Sequence, residues 1–421
     1  MVPLSTIISE LESGVSVNSE DVPAGDSERG VLKVSCVSDG HFYAQENKRV
    51  IPSELHRLIC SVRRGDLLVT RANTFDLIGA SGLVDRDYPN LFLPDKVWRV
   101  VLKEGGGDSI NWLKHVLNSP QVRAELKKRA TGTSGSMKNI PQSSFLAINV
   151  FRPPVDEQVW IACVLDVWDR GVRQLTDLIS AKLCFKQGLM QHLLTGQRRF
   201  QGHVKKKGVQ ASPAGTIPVD WTLGRLSDVT EEVRRRNDTG VTRVLTASGN
   251  HGLIDQQDYF NRSVAGKSLE SYFLLKRGEF AYNRSLMKGY PYGATKRLED
   301  YEEGVVSTLY LCFRITSPEC NSNWLTHVFE AGVLNSQLRG IAKMGARAHG
   351  LLNVAASEFF NMVLPVPSPE EQAAISRVLD AADSEIALLE KELEALKQQK
   401  KGLMQKLLTG QVRVPLSKGV A

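Results

Sequence analysis

The chain contains 421 residues, of which 42% are hydrophobic and 24% charged, and its formal net charge is +7. This composition excludes an intrinsically disordered chain, and a membrane-spanning helix is also excluded because no apolar run reaches about 18 residues. The six cysteines form no CxxC pair, and the N-terminus has no basic lead before an apolar run. We therefore expect a cytoplasmic protein with reduced thiols. The mild positive charge is compatible with a nucleic-acid partner but does not require one.

Residues 1–148 are predicted to form a strand-rich first domain. Runs of β-branched and apolar residues at 66–70 and 96–101 predict strands, and residues 109–129 predict an amphipathic helix. The loop after the first strand carries Arg71, Asn73 and Thr74. Arginine can form paired hydrogen bonds with guanine and asparagine with adenine, so this loop is a candidate DNA contact.

A second polar turn, at 131–138, comes before the first long helix. Its glycines and serines would let the backbone approach a phosphate, and it contains Ser136 and Lys138. Each of these loops can equally be an ordinary solvated turn. The DNA interpretation gains weight because similar polar turns recur at matching places later in the chain.

Residues 149–199 are predicted to form a helical spacer, with a single helix over 156–194. The helix is expected to end at Thr195-Gly196, because glycine readily takes the left-handed conformation that terminates a helix. Residues 200–216 contain Lys205, Lys206 and Lys207 and no acidic residue, so we predict a flexible basic linker there.

Residues 217–364 are predicted to form a second domain of the same kind, with a strand at 307–315 and an amphipathic helix at 322–343. Its polar loops and turns match those of the first domain, and a basic cluster lies near its start. The candidate DNA contacts in this domain are Arg234, Arg235, Asn283, Arg284, Lys288, Arg347 and His349.

A second helical spacer is predicted over residues 365–413, followed by a tail at 414–421. Ser368 can cap the free backbone N–H groups of its helix, Pro369 suits the first helical position, and Glu371 can complete a capping box. Apolar residues then recur every three to four positions in both long helices, which predicts that the two helices pack on each other as a coiled coil.

The chain is a duplication. Residues 186–200 read KQGLMQHLLTGQRRF and residues 400–414 read KKGLMQKLLTGQVRV, so that eleven of the fifteen aligned positions are identical. Further matches include NWLKHV at 111–116 with NWLTHV at 323–328. Two copies of one unit suit a partner that itself has approximate two-fold symmetry, and duplex DNA is the commonest such partner.

The sequence favours a non-catalytic protein. Asp95, Glu125 and Lys127 imitate a metal-dependent nuclease, but Glu125 lies on a charged helix and the second copy has no match. No methyltransferase tetrapeptide, GxSxG or HExxH motif is present, and no metal site is predicted. Two alternatives remain open at this stage: a stand-alone nuclease or modification enzyme, and a duplicated coiled-coil scaffold that binds only protein.

The entry to the second long helix, with Pro365, Pro367, Glu371 and Gln372, and the GLMQxLLTG end of both helices resemble the specificity subunit of type I restriction-modification systems. The resemblance covers essentially the whole chain. It implies an α+β fold, with two homologous mixed α/β target recognition domains joined by two long antiparallel coiled-coil helices in a pseudo-two-fold arrangement.

The resemblance also implies a division of labour. Each domain would read one half of a split site in double-stranded DNA, and the helices would set the spacing and dock two modification (methyltransferase) subunits, which the restriction subunits join. Catalysis, S-adenosylmethionine, ATP and Mg²⁺ would belong to those partners, with no cofactor in this chain. The positions expected to bind partners are Gln158, Leu189, Leu193, Gln372, Leu403 and Leu407.

One departure from the family pattern is expected to matter. The second domain opens with Ile217-Pro218-Val219-Asp220-Trp221, a lead-in common in the family, whereas the first copy begins at MVPLSTI and lacks the proline and tryptophan. The first domain is therefore expected to have a weaker edge strand or an altered docking surface.

Overall fold

The computed structural model describes residues 1–38, 40–132, 137–249, 251–260, 269–344 and 350–414. The chain divides into two compact units, one formed by residues 1–176 with 391–421 and the other by residues 177–390. Each unit therefore contains one strand-rich domain, part of the first long helix and part of the second.

The strands of the first unit form a six-stranded sheet in the order β2-β13-β9-β11-β6-β5, a five-stranded sheet in the order β3-β7-β4-β12-β8, and the pairs β1-β15 and β10-β14. Most neighbours are antiparallel, and β11-β6 and β12-β4 are parallel. In chain order these strands are β1 (Val2–Pro3), β2 (Ile8–Ser13), β3 (Ser19–Glu20), β4 (Gly30–Leu32), β5 (Val37–Ser38), β6 (His41–Phe42), β7 (Asn47–Val50), β8 (Ser61–Val62), β9 (Leu67–Thr70), β10 (Ala72–Asn73), β11 (Ser81–Leu83), β12 (Tyr88–Phe92), β13 (Val97–Leu102), β14 (Lys138–Asn139) and β15 (Asn149–Val150).

The second unit has one four-stranded sheet, in the order β19-β26-β23-β24, and five two-stranded pairs: β16-β17, β18-β29, β20-β21, β22-β25 and β27-β28. In chain order its strands are β16 (Val209–Ser212), β17 (Gly215–Pro218), β18 (Thr222–Arg225), β19 (Thr230–Glu232), β20 (Leu245–Ser248), β21 (Gly252–Asp255), β22 (Phe273–Lys276), β23 (Phe280–Asn283), β24 (Ala294–Arg297), β25 (Glu303–Val306), β26 (Tyr310–Ile315), β27 (Lys343–Met344), β28 (Leu352–Asn353) and β29 (Val363–Val366).

Two helices of 40 residues each dominate the helical content, as the heptad pattern predicts. In chain order the α-helices of the described chain are α1 (Ile110–Asn118), α2 (Pro120–Arg129), α3 (Gln142–Leu146), α4 (Val155–Leu194), α5 (Leu226–Val229), α6 (Gln256–Phe260), α7 (Ser322–Glu330), α8 (Asn335–Ile341), α9 (Ala356–Phe360) and α10 (Pro369–Leu408). Short 3₁₀ turns lie at Leu4–Thr6, Val34–Cys36, Pro52–Arg57 and Gln201–His203.

The two long helices pack antiparallel, and each unit shows this separately. In the first unit Ile161 and Leu165, near the start of α4, share a core with Met404 and Leu407, near the end of α10. In the second unit Leu193, near the end of α4, shares a core with Ile375 and Leu379, near the start of α10. The predicted α+β fold with two antiparallel long helices is confirmed.

Local signals at the helix ends also behave as predicted. The hydroxyl of Ser368 accepts a hydrogen bond from the backbone N–H of Glu371 at 3.4 Å. Gly196 and Gly410 follow the ends of α4 and α10 with φ of 70° and 75°, in the left-handed region that glycine adopts without steric cost.

Two predicted helices are each divided. The helix predicted over 109–129 is interrupted at Ser119, whose backbone is extended, and Pro120 begins α2 as its first residue. Proline has no N–H to donate and disfavours a helical residue before it, so a continuous helix through this position would be strained. The helix predicted over 322–343 is divided into α7 and α8 by a turn containing Gly332 at φ 66°.

The flexible linker predicted over 200–216 is wrong for most of its length. Residues 201–203 form a 3₁₀ turn, and β16 and β17 pair as a hairpin from Val209↔Pro218 to Ser212↔Gly215. The Asp220 carboxylate accepts hydrogen bonds from the backbone N–H groups of Lys205 and Lys206 at 2.8 and 3.2 Å. Part of this order comes from residues beyond the segment, the strand partners Ile217 and Pro218 and the carboxylate of Asp220, which the composition of the segment does not reveal.

None of the helices that the structure describes is both long enough and apolar enough to cross a membrane.

Candidate nucleic-acid interface

The structure brings together the two segments of the first unit that the sequence singled out as DNA contacts. β10 pairs with β14, with Ala72 opposite Asn139 and Asn73 opposite Lys138. The Arg71 carbonyl accepts a hydrogen bond from the N–H of Ile140 at 2.9 Å. The loop after β9 and the end of the turn at 131–138 therefore form one surface.

The second unit repeats this arrangement. The carbonyl of Arg284 accepts the N–H of Leu352 at 2.7 Å, and the N–H of Leu286 donates to the carbonyl of Gly350 at 2.7 Å. An antiparallel bridge also joins Ser285 and Leu351. The loop after β23 and the segment before β28 thus correspond to the pair of segments in the first unit. Of the predicted contacts, Ser136, Arg347 and His349 lie outside the described residues.

The candidate side chains of the first unit differ in accessibility. Thr74 is exposed, whereas Asn73 is only 5% exposed and its Oδ1 accepts the N–H of Thr74 at 2.8 Å. The guanidinium of Arg71 is half-buried: its Nε donates to Asn139 Oδ1 at 3.2 Å, and it lies over the ring of Trp98. In this conformation the Asn73 side chain does not reach the surface, which corrects its expected role as a direct reader of adenine.

In the second unit Lys288 is exposed, but Arg284 is occupied internally. The Arg284 guanidinium donates to the carbonyls of Leu309 at 2.6 Å, Val354 at 3.3 Å and Thr308 at 3.3 Å. Burial lowers the pKa of Arg284 from its usual value. Arg284 is half-buried, and its three bonds to backbone carbonyls hold the loop, so its guanidinium is less available to a DNA base than the ammonium of Lys288.

Two further candidates of the second unit, Asn283 and Arg235, are also held by contacts within the domain. Asn283 is half-buried, and its Oδ1 accepts the N–H of Ser285 at 3.1 Å. Arg235, a candidate DNA contact, forms an ion pair with the buried carboxylate of Glu279 at 3.0 Å, so its charge is already compensated within the domain.

Besides Lys288, two basic candidates reach the surface. Arg234 is largely exposed, with an ion pair to Glu232 at 2.8 Å. Lys138 is half-buried, and its ammonium donates to the carbonyl of Gly132.

The two glutamines expected to bind partner subunits are fully buried caps. Gln158 Oε1 accepts the N–H of Ser109 at 2.9 Å, just before α1, and its Nε2 donates to the carbonyl of Pro153 at 3.0 Å. Gln372 makes the equivalent bonds to the N–H of Asn321 at 2.8 Å and to the carbonyl of Pro367 at 3.0 Å. Each glutamine therefore fixes a recognition-domain helix to the start of a long helix instead of facing a partner.

The leucines expected to bind partners also point inward. Leu193 and Leu407 are buried in the cores of their units, and Leu189 and Leu403 are half-buried against the same cores. The partner face predicted at these positions is therefore corrected. The GLMQxLLTG segment recurs because in both copies it packs the end of a long helix into a domain core.

Sequence reasoning missed two ion pairs that hold the helix ends. In the first unit Glu157, at the start of α4, binds Arg413, just beyond the end of α10, at 2.7 Å. In the second unit Glu371, at the start of α10, binds Arg199, just beyond the end of α4, at 2.7 Å. These residues occupy matching positions of the repeat, Glu157 with Glu371 and Arg199 with Arg413. This match was the feature of the sequence from which the two ion pairs could have been predicted.

The second of these pairs is more enclosed. Arg199 is also bound by Asp220 at 2.6 Å, and the indole N–H of Trp221 donates to the Glu371 carboxylate at 3.0 Å. Hydrogen bonds to Glu371 and Asp220 raise the pKa of Arg199. The first unit has no counterpart of Trp221, and there the ring of Phe151 lies beneath Arg413, with 5.6 Å from ring centroid to guanidinium carbon.

A second repeated contact joins each recognition domain to its long helix. His115 Nε2 on α1 lies 2.9 Å from Asp166 on α4, and His327 Nε2 on α7 lies 2.8 Å from Asp380 on α10. Burial lowers the pKa of His115, and the bond to Asp166 opposes that shift. Burial alone would raise the pKa of Asp166, but hydrogen bonds from His115 and Lys114 lower it to about 2.

His115, Asp166 and Asp169 offer ligand atoms within 4.8 Å of one another, a spacing that could hold a metal ion. However, the Lys114 ammonium lies 2.5 Å from Asp166, and Lys400 forms an ion pair with Asp169. Both carboxylates are already paired with lysines, so the cluster is explained as a set of ion pairs that joins α1, α4 and α10.

The comparisons with known proteins are consistent with this architecture. No protein-family model matches the chain. The type I restriction enzyme MjaVIII specificity subunit of Methanocaldococcus jannaschii is 25% identical over 310 residues, which cover 69% of this chain and 67% of that protein. The solved S subunit of the type I restriction-modification system from M. genitalium has a TM-score of 0.56 at 14% identity, covering 97% of this chain and 95% of that chain.

A further solved chain, from work on complex assembly and conformational transition of the type I restriction-modification system, has a TM-score of 0.56 at 15% identity and covers 98% of this chain and 97% of that chain. The fold is therefore that of the S subunits. The sequence is in addition similar to that of the MjaVIII specificity subunit over about two thirds of both chains.

Proposed function

We propose that each unit of this chain reads one half of a split site in double-stranded DNA. The observation that carries the proposal is the repeated pairing of two polar segments, after β9 with β14 in the first unit and after β23 with the segment before β28 in the second. Two homologous surfaces in one chain suit a site made of two half-sites. The loops differ in sequence between the units, so the half-sites are expected to differ.

The accessible side chains of these surfaces are assigned the direct contacts. Thr74, Lys138 and Lys288 are placed at phosphates or base edges, and Arg71 is placed at the edge of the first surface. Arg234, in the basic cluster near the start of the second domain, is placed at a phosphate. Ser136, Arg347 and His349 stay as proposed contacts on sequence grounds. Asn73, Asn283, Arg284 and Arg235 support the loops from within.

The proposed partners are two modification subunits and, joined to that core, restriction subunits. S-adenosylmethionine, ATP and Mg²⁺ are proposed to bind in those subunits, and the complex is proposed to act in the cytoplasm. Since the predicted partner residues are buried, docking is assigned instead to exposed apolar side chains of α4. Val159, Trp160 and Val167 are 55%, 54% and 53% exposed and lie along three turns of that helix.

The DNA contact is tested by measuring affinity for a duplex as a function of salt, with the modification subunits present. Phosphate contacts give a linear fall of log K with log salt, and removing one such contact reduces the slope by about 1. Lys288→Ala is expected to reduce the slope in this way. Lys276→Ala is the control, because Lys276 is an exposed lysine at the end of β22, before β23 begins, whereas the loop that carries Lys288 follows the end of β23.

Affinity that does not depend on salt would contradict the proposal and would favour a scaffold that binds only protein. An equal change of slope for Lys276→Ala and Lys288→Ala would show that the two lysines affect DNA binding only through the total charge of the protein. The loop that carries Lys288 would then not be part of the DNA interface.

A further inference from the structure

A buried polar cluster lies beneath the candidate DNA loop of the second unit. Lys296, on β24, is only 4% exposed. Its ammonium donates to the Gly249 carbonyl at 2.9 Å, the Tyr290 hydroxyl at 2.8 Å and Glu330 Oε1 at 2.5 Å. A buried ammonium is tolerated only when its N–H groups find acceptors, and here it has three.

Tyr290 connects this cluster to the loop. Its hydroxyl accepts from Lys296 and donates to Glu330 Oε2 at 2.5 Å, and its ring lies 4.6 Å from the Lys296 nitrogen. Burial and the neighbouring Glu330 carboxylate raise the pKa of Tyr290, so the hydroxyl stays protonated and can keep donating. Each of the three side chains thus holds the other two.

The loop held in this way carries the exposed Lys288. Within it the N–H of Tyr290 donates to the Met287 carbonyl at 2.9 Å. On its far side the carbonyl of Tyr292 accepts the hydroxyl of the buried Tyr282 at 2.6 Å. The segment between Asn283 and Gly293 is therefore tied both to its own sheet and, through Glu330, to the end of α7.

The first unit ties the corresponding loop with different groups. Arg123 on α2 donates to the carbonyls of Asp76 at 2.9 Å and Ile78 at 2.5 Å, and Lys127 binds the Asp76 carboxylate at 3.1 Å. In both units, a cationic side chain thus connects the loop after β9 or β23 to a helix that follows it in the chain. The residues that do so are unrelated in sequence, so this device is independent of the repeat.

We infer that Tyr290, Lys296 and Glu330 are positioning residues for base discrimination by the second unit. The inference rests on the proposed function. Hydrogen bonds to base edges distinguish bases only when the donor is held in a fixed place, and a loop that must be ordered during binding loses part of its binding free energy to that ordering. The cluster orders the loop before DNA arrives.

The test is Tyr290→Phe, which removes one hydroxyl and leaves the ring. The variant chain is assembled with its modification subunits, and the rate of methylation is measured on duplex libraries in which either half-site is varied. A single wrong base pair ordinarily costs about 1–3 kcal/mol, or about 5- to 150-fold in binding. We expect Tyr290→Phe to reduce discrimination in the second half-site about tenfold and to leave the first half-site unchanged.

The control is Tyr310→Phe. The Tyr310 hydroxyl is also in the second unit, largely buried, and accepts the N–H of Ala247 at 3.2 Å, outside the loop. The Tyr310→Phe variant is expected to lower thermal stability without changing base discrimination. If Tyr290 had only a structural role, Tyr290→Phe would likewise lower stability and leave discrimination unchanged. Lys296→Met with Glu330→Gln, a second variant that removes both charges together, is expected to reproduce the loss in the second half-site only.

Unchanged discrimination in Tyr290→Phe, or an equal loss in both half-sites, would overturn the inference while leaving the proposed function intact. Failure of the wild-type complex to discriminate either half-site would overturn the proposed function and this inference with it.

Discussion

Glu157 and Glu371 are nearly inaccessible carboxylates, and each depends on one arginine for its charge to be compensated. Arg199, the partner of Glu371, has a side chain that is 8% exposed, whereas Arg413, the partner of Glu157, is 57% exposed. Water can therefore reach one pair and not the other. The two arginines occupy matching positions of the repeat, but they are expected to contribute differently to the free energy of unfolding.

We predict that Arg199→Ala is the more damaging substitution. It leaves the buried carboxylates of Glu371 and Asp220 without their cation, and breaking such a buried pair costs about 3–5 kcal/mol. Arg413→Ala is expected to lower the free energy of unfolding by less. Urea unfolding of both variants measures the difference, and equal losses would contradict the role given to Asp220 and Trp221.

The low pKa of Asp166, about 2, predicts a response to acid. Below the ordinary pKa of 3.8, Asp166 becomes protonated in the unfolded state while it stays ionised in the folded state. The stabilisation by this carboxylate is therefore complete above that value and is lost as the pH falls toward 2. Asp166→Asn should remove this part of the dependence, so the stability difference between wild type and variant should shrink over that window; a constant difference would refute the assignment.

At the scale of elements, the long helices are defined mainly by their ends. Gly196 and Gly410 adopt positive φ, and a Cβ at either would approach a ring within 3 Å: Pro218 Cδ at 2.4 Å for Gly196 and Phe151 Cζ at 2.7 Å for Gly410. Phe151 thus fills, in the first unit, the space that Pro218 and Trp221 fill in the second.

We predict opposite effects for two glycines of the same helical region. Gly196→Ala forces a left-handed conformation on alanine, which costs about 1–2 kcal/mol, and adds a collision with Pro218. Gly188→Ala, inside α4 with no neighbour within 4 Å, should stabilise the protein by up to about 1 kcal/mol through helix propensity. Thermal unfolding compares them directly, and a destabilising Gly188→Ala would mean that this face of α4 is covered.

The exposed apolar stripe on α4 makes a further prediction. Val159→Glu with Val167→Glu should weaken assembly with modification subunits at least about tenfold, because charges would then have to be buried at the interface. Ala373→Glu with Ala381→Glu, at the matching positions of α10, is the comparison for the second copy. Native mass spectrometry reports the stoichiometry, and full assembly of the α4 variant at wild-type concentrations would exclude the stripe as a docking surface.

For the whole molecule, what the sequence predicted and what it missed have different physical origins. The long helices, their caps and their packing on each other follow from heptads and from residues within one or two turns of each helix end, so they could be predicted. Their antiparallel direction was expected only from the family resemblance. The cap made by Gln158 and the Glu157–Arg413 pair join residues 49 and 256 positions apart, and no local pattern specifies such contacts. The candidate loops were located correctly as surfaces, but local sequence did not separate exposed Lys288 from internally bonded Arg284.

The repeat offered information that residue type alone did not. Several positions that agree between the copies, including Gln158 with Gln372 and Leu193 with Leu407, are internal, whereas the matching Gln191 and Gln405 are exposed on the long helices. Positions that differ, including the residues around Asn73 and Leu286, lie in the two loops. Agreement between copies therefore marks the shared frame, and divergence marks the surface where the two units are proposed to read different half-sites.

The most direct test of this account exchanges residues 217–364 for the corresponding domain of a related specificity subunit and maps methylated sites in cells that carry the complete system. We predict a split motif in which one half changes with the exchanged domain, while the other half and the spacer length stay as in the wild type. A motif that changes in both halves, in neither half, or that is continuous instead of split would contradict the account.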